Sequence, residues 1–355
     1  MRVLSIDQHI AVSADIRHIF NTLGHTVREI SLSGHAAVIN RPQGHIPELE
    51  GDNWCHVVRE RKTKEFYETY KDAFKDYDAF LCCYPPAFSL LWEYFDKPII
   101  IQIPIRYENG FDCDPENWTK FNEYLRVGVD SGKIILCANS LYDKRYAEGF
   151  IEREVKYIPS LCEYTGMNYN PVYDQFLYYA SFDIKDPSGR MIKKHDALKA
   201  GHAWQTVADF KGAIHYPYNT STMTIFEQYA AGMPVFFPTK RYLLEMFLAG
   251  VPVLNHISWQ CHFKKAVHSL IPHKHEFDPN NYLDFNVVSH WLDSADFYAG
   301  DMKHIQYFDN AEERHEILGY SLDKLQDISR LIRQDHSERR VRVHKAWAEV
   351  IEGIL

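Results

Sequence analysis

Short runs of apolar residues alternate with helical stretches along the first half of the chain. Arg2–Asp7 predicts a strand, Asp15–Leu23 a helix capped by Asp15 and stopped by Gly24, and Thr26–Leu32 a second strand. A charged helix follows over Thr63–Lys75. Further strands are predicted at Asp78–Cys83, Pro98–Ile103 and Lys133–Ala138, and helices at Ala87–Phe95, Trp118–Asp130 and Tyr142–Phe150. Ile99-Ile100-Ile101 and Ile134-Ile135-Leu136 are continuously apolar, the pattern of parallel strands covered by helices on both faces. Such alternation builds a doubly wound α/β sheet.

After a short strand at Glu154–Ile158, the stretch Tyr164–Pro171 is rich in Gly, Asn and Pro and reads as a hinge. The pattern then restarts. It runs through a strand at Gln175–Ala180, a basic loop to Lys194, a helix near His195–Phe210, a strand at Ala213–His215, a helix at Thr222–Ala231 and a strand at Val235–Phe237. Arg241–Phe247, the loop Val251–Trp259, a strand at Ile305–Phe308 and a helix from Ala311 to Leu318 follow. The helical tail from Leu322 to Ile351 is long enough to cross back to the first domain. The expected division is a Rossmann-like domain at 1–165, a second at 166–325, and a C-terminal helix at 326–355.

Length agrees, since 355 residues exceed one compact core. A net charge of -9 argues against a nucleic-acid partner, which needs a basic face. The 14% aromatic share supplies rings that suit the apolar faces of pyranoses as well as an ordinary core. The seven cysteines include adjacent Cys82 and Cys83 and no CxxC, which points to free thiols in a reducing, cytoplasmic setting. The first residues hold no apolar run of signal-peptide type, and no stretch is long and apolar enough for a transmembrane segment. The sequons at Asn117 and Asn219 then read as chance matches.

The most informative stretch is A-I-H-Y-P-Y-N-T-S-T-M-T-I-F-E-Q-Y-A-A-G-M-P-V-F-F-P, from Ala213 to Pro238. A strand ends in a turn at Tyr216–Asn219. Thr220, Ser221 and Thr222 open a helix, and Gly232 and Pro234 end it. A helix start with hydroxyl side chains is an anion seat, because its first N–H groups and positive dipole end face outward. Glu227 follows Thr224 by three residues and Thr220 by seven, on one helical face. A carboxylate there can accept hydrogen bonds from ribose hydroxyls while standing clear of a diphosphate. A capped helix with a solvated Glu has the same spacing. The position at the carboxyl end of a strand favours the ligand seat.

This segment resembles the donor-binding motif of nucleotide-sugar glycosyltransferases of the GT-B fold. The resemblance implies two Rossmann-like domains facing a cleft, with the nucleotide sugar on the second. It implies that Glu227 binds ribose and that Ser221 and Thr222 contact the diphosphate, with Thr220, Asn219 and Tyr218 beside them. A UDP- or GDP-sugar is the expected donor and a glycan or other hydroxyl compound the acceptor, with no cofactor and no metal. Many retaining members carry a second Glu eight residues before the ribose Glu, where this chain has Asn219. They also place a Gly-Arg after the first strand of the second domain, where this chain has Ala180-Ser181-Phe182-Asp183. Arg190, Lys193 and Lys194 arrive later and would neutralise the diphosphate, or form a solvated loop. The stereochemistry stays open.

Acceptor-side candidates lie in loops after the strands of the first domain. Asp7 with His9 is the first choice of general base and His35 the second, because His and Asp suit proton abstraction near neutral pH. Arg106 and Glu108 are candidate acceptor-binding residues. Asp112-Cys113-Asp114 matches the metal–diphosphate DxD of the other large glycosyltransferase fold, but it sits in a polar loop where carboxylates are common. His268, His273 and His275 lack zinc-ligand spacing. The basic run from Arg339 to Lys345 is interleaved with Trp347 and acidic residues, as in a solvated helix. No G-x-S-x-G, P-loop or G-x-G-x-x-G occurs. The competing readings are a nucleotide-sugar epimerase and an inactive carbohydrate-binding protein of the same fold.

Overall fold

The computed structural model describes residues 1–39, 41–51, 53–111, 114–199, 202–255 and 267–354. The described chain forms two compact units. One holds the described residues within Met1–Ser160, Phe263–Asn281 and Val343–Leu355; the other holds those within Leu161–His262 and Tyr282–Arg342.

The first unit carries a six-stranded parallel sheet of β1 (Arg2–Asp7), β2 (Thr26–Ser31), β3 (Ala79–Cys82), β4 (Ile99–Ile103), β5 (Ile134–Ala138) and β6 (Lys156–Tyr157). The order is β2-β1-β3-β4-β5-β6. Helices α1 (Ile10–Thr22), α2 (Asn53–Arg59), α3 (Thr63–Phe74), α4 (Pro115–Asp130) and α5 (Leu141–Ile151) connect the strands. The apolar runs of β3 and β4 are buried along their whole length, as strands covered on both faces require.

The second unit carries β7 (Phe176–Tyr179), β8 (Met191–Lys193), β9 (Ala213–His215), β10 (Val235–Pro238) and β11 (Gln306–Phe308), all parallel, in the order β11-β10-β9-β7-β8. Its helices are α6 (Lys194–Ala197), α7 (Trp204–Ala208), α8 (Met223–Ala230), α9 (Lys240–Leu248), α10 (Phe285–Leu292) and α11 (Ala311–Leu318). Helix α12 (Leu322–Glu352) lends its residues to Arg342 to this unit and the rest to the first. Both sheets are doubly wound. The strand order reverses between β1 and β3 in one and between β7 and β9 in the other. Such sheets hold ligands outside the carboxyl ends of the strands at that reversal.

Several elements differ from the sequence expectations. Helix α1 starts at Ile10, so Asp15 is a buried interior residue rather than a cap. His9 occupies the N-cap without a side-chain capping bond, so the usual start signal is missing. Pro86–Trp92 is a fully buried 3-10 turn, not an α-helix. The expected basic loop before Lys194 contains edge strand β8, and the expected helix over His195–Phe210 is two short helices with residues 200 and 201 outside the described set. Helices α2 and α10 were not expected. Of the loop Val251–Trp259, residues from 256 onward lie outside the described set.

Candidate functional site

Residues at or next to the ends of neighbouring strands of the second sheet form a stack along its carboxyl edge. The Tyr179 ring ends β7 and lies 4.6 Å from the His215 imidazole at the end of β9, nearly parallel to it. His215 stacks in turn on Phe237 of β10 at 4.9 Å. At the other end, Lys194 Nζ stands 5.4 Å from the centre of the Tyr179 ring. Parallel pairing makes this possible, because Tyr179 and His215 are register partners. The stack sits at the strand-order reversal.

Helix α8 closes this edge from one face. His215 Nε2 lies 2.6 Å from Gln228 Oε1. Burial pushes the His215 pKa down to about 4, which keeps the imidazole neutral near pH 7. Glu227, next to Gln228, is also buried, and its Oε1 accepts from the Tyr164 hydroxyl at 2.6 Å. Tyr164 belongs to a 3-10 turn at Glu163–Thr165, just past the start of the second unit.

The turn before α8 is shaped by its own side chains. Asn219 Oδ1 accepts from the Thr220 amide at 2.8 Å. Thr220 is buried, and its carbonyl accepts from the Asp296 amide at 3.1 Å. Thr222 is the N-cap, yet its hydroxyl makes no capping bond. Ser221 is half-buried, and Tyr218 is largely exposed. A helix start not satisfied by its own cap residue favours an external anion. Lys194 adds a cation on the same edge, and among the described residues no carboxylate pairs with it.

The structure therefore brings Thr220, Ser221, Thr222, Glu227 and Lys194 to one edge of one sheet and leaves Arg190 out. Arg190 precedes β8, and its carbonyl accepts from the Phe176 amide at the start of β7. It lies at the amino edge, where its guanidinium donates to the Leu318 carbonyl at 3.2 Å. The reason is the strand at 191–193, which carries the chain from one edge to the other between Arg190 and Lys194. Sequence reasoning missed Tyr179, His215, Gln228 and Tyr164. The first two were within reach, His215 as the last residue of one predicted strand and Tyr179 as the last but one of another.

At the strand-order reversal of the first sheet, Asp7 is fully buried. It accepts from the Tyr84 amide at 2.9 Å and from the His9 amide, tying the ends of β1 and β3 together. Burial raises its pKa well above the usual carboxylate range, against the lowering effect of those amides. The expected Asp7–His9 pair is thus made through the His9 backbone and not the ring. The His9 ring lies edge-on to Tyr84 at 5.9 Å, with Nδ1 buried and without a hydrogen-bond partner. Burial lowers its pKa, and His35 adds to the shift. His35 itself is exposed.

Arg106 and Glu108 do not face outward. Both are buried in the first unit, where Arg106 donates to the Tyr142 hydroxyl at 2.6 Å and to Asn280, and Tyr146 donates to Glu108 at 2.6 Å. They follow β4, where an open acceptor-facing position was expected, but the segment around Asn280 and helix α5 covers them. Asp114 caps α4, accepting from the Asn117 amide at 3.0 Å; Asp112 and Cys113 of the DxD match lie outside the described residues. His275 packs against Phe150 and Tyr146. Among the described residues no cluster of three or more His, Cys, Asp or Glu side chains could hold a metal ion, and no helix is long and apolar enough to cross a membrane.

No family model matches the chain, and no curated protein does. Among solved structures it is similar to the glycosyltransferase SnogD from Streptomyces nogalater, at 12% identity and a TM-score of 0.45 over 99% of each chain. It is also similar to the calicheamicin glycosyltransferase CalG4, at 11% identity and a TM-score of 0.42 over 99% of this chain and 98% of that one. A third is the spinosyn rhamnosyltransferase SpnG complexed with thymidine diphosphate, at 9% identity and a TM-score of 0.40 over 97% of this chain and 99% of that one.

Proposed function

We propose that the chain is a glycosyltransferase that moves a sugar from a UDP- or GDP-sugar to a hydroxyl group of a glycan or related acceptor, without a metal ion. The second unit holds the donor and the first holds the acceptor. The observation that carries this reading is the buried carboxylate of Glu227, one turn into a helix whose hydroxyl-lined start lies at the strand-order reversal of a doubly wound sheet. The diphosphate sits at the start of α8, where Ser221 and Thr222 supply hydroxyl donors and Lys194 neutralises the leaving group. The ribose hydroxyls replace the Tyr164 hydroxyl on Glu227. His9, neutral by burial and with Nδ1 unengaged, accepts the proton of the acceptor hydroxyl. Asp7 keeps the His9 backbone in place.

The test is a melting-temperature screen against UDP, GDP, dTDP and CMP, followed by a donor-consumption assay with and without hydroxyl acceptors. The reading expects at least one nucleoside diphosphate to raise the melting temperature, and sugar loss that depends on acceptor. Isomerised sugar without acceptor would make the chain an epimerase. No shift with any nucleotide would leave the fold without the activity.

A further inference from the structure

The second sheet has a cavity on the face opposite α8. His215 points toward α8, and Tyr216, the next residue, points away from it, because side chains alternate along a strand. The ladder continues through Tyr216, whose amide donates to the Tyr179 carbonyl at 2.8 Å. The Tyr216 ring meets Phe308 of β11 at 5.7 Å and Phe182 at 5.4 Å, both edge-on. Phe308 backs the Tyr216 ring, and the Tyr216 and Phe182 rings line an open cavity of about 470 Å³, completed by Tyr242 of α9, Val251 and Arg314 of α11. None of Ser221, Thr222, Glu227 or Lys194 lines it.

Its charge is unbalanced. Arg314 donates from Nη1 to the Tyr216 hydroxyl at 2.9 Å. Its Nε is buried and has no hydrogen-bond partner, and among the described residues no carboxylate pairs with the guanidinium. Lys185, exposed on the same lining, makes no ion pair among the described residues. Asp183 also lines the cavity, but its carboxylate is held by Lys193 at 2.6 Å. A guanidinium with no carboxylate partner among the described residues, set beside aromatic walls, is complementary to a flat anion, since its planar fork binds oxyanions and the walls take the ring. The volume lies within the range of small-molecule pockets, about 300–1,000 Å³.

We propose that the cavity between Tyr216, Tyr242 and Arg314 binds a small aromatic anion, a planar ring carrying a phosphate, sulfate or carboxylate, at a site separate from the one around Glu227. The site does not depend on the glycosyltransferase reading.

The test uses the full chain and three probes in calorimetric titration: phenyl phosphate, inorganic phosphate and benzyl alcohol. Phenyl phosphate should bind, with the ring-free anion and the uncharged ring each weaker by about tenfold or more. Arg314→Gln should weaken phenyl phosphate by about tenfold. Ala249→Trp, at the exposed rim of the cavity, should block it with the melting temperature unchanged. Glu227→Ala and Ser221→Ala should leave this binding as it was. The proposal is overturned if phenyl phosphate fails to bind, if Arg314→Gln and Ala249→Trp bind it as the parent does, or if Glu227→Ala abolishes it. Displacement by a saturating nucleoside diphosphate would also overturn it, by making the two sites one. If no nucleotide binds at all, the titrations of Arg314→Gln and Ala249→Trp still decide the matter.

Discussion

Arg106 and Glu108 lie 3.9 Å apart inside the first unit, both out of water. Removing the guanidinium leaves a buried carboxylate without its cation, which typically destabilises by about 3–5 kcal/mol. Arg106→Ala should therefore lower the denaturant midpoint of the first unit, and a midpoint within error of the parent would refute the structural role. The second residue-scale prediction concerns His215. Its pKa in the folded chain is about 4, against an ordinary value of 6.5. The unfolded chain binds the proton more readily, so the stability tied to this group is complete above pH 6.5 and is lost as pH falls toward 4. Between pH 7 and pH 5 the loss is about 2 kcal/mol. His275, also near 4, adds a similar slope in the first unit. His215→Phe keeps a ring in the stack and should flatten the pH dependence of the second unit's denaturation alone. An unchanged slope would mean that His215 is not held neutral by burial.

At the scale of elements, α8 owes its position to its ends. Gly232 follows the helix at φ 74°, and its amide bonds the Tyr229 carbonyl at 3.0 Å. A Cβ there would stand 2.6 Å from Arg333 Cγ on α12. Gly232→Ala should destabilise the second unit by about 1–2 kcal/mol, through left-handed backbone strain and displacement of α12. A thermal melt equal to the parent's would contradict it. This helix was legible in the sequence because hydroxyls, an apolar face, Gly232 and Pro234 mark its start, body and end. The buried strands were legible to within a residue or two, because β4 and β5 consist of nothing but apolar residues and one Gln. Three-residue β8 was not, since Met191-Ile192-Lys193 is too short to show a period and lies at a sheet edge. Of the candidate site, the Thr220–Glu227 stretch could be read locally. The Tyr164–Glu227 bond spans 63 residues and exists only once the sheet has formed.

At the scale of the whole molecule, α12 takes part in both units. Its earlier residues hold Asp335 against the Tyr229 hydroxyl at 2.6 Å and Arg339 against Asp301 at 2.5 Å. Its last turns bury Trp347 edge-on to Phe20 at 5.2 Å. Trp347→Ala should cost the first unit about 3–5 kcal/mol, read as an earlier transition in calorimetry, and an unmoved transition would refute the assignment. The proposed donor site turns on Glu227 holding the ribose of a nucleotide. The most direct measurement is a calorimetric titration of the parent chain and of Glu227→Ala with the nucleoside diphosphate that gives the largest melting shift. A loss of about tenfold or more in affinity, with the melting temperature of the free protein retained, is the predicted result. Equal affinity in the two proteins would contradict it.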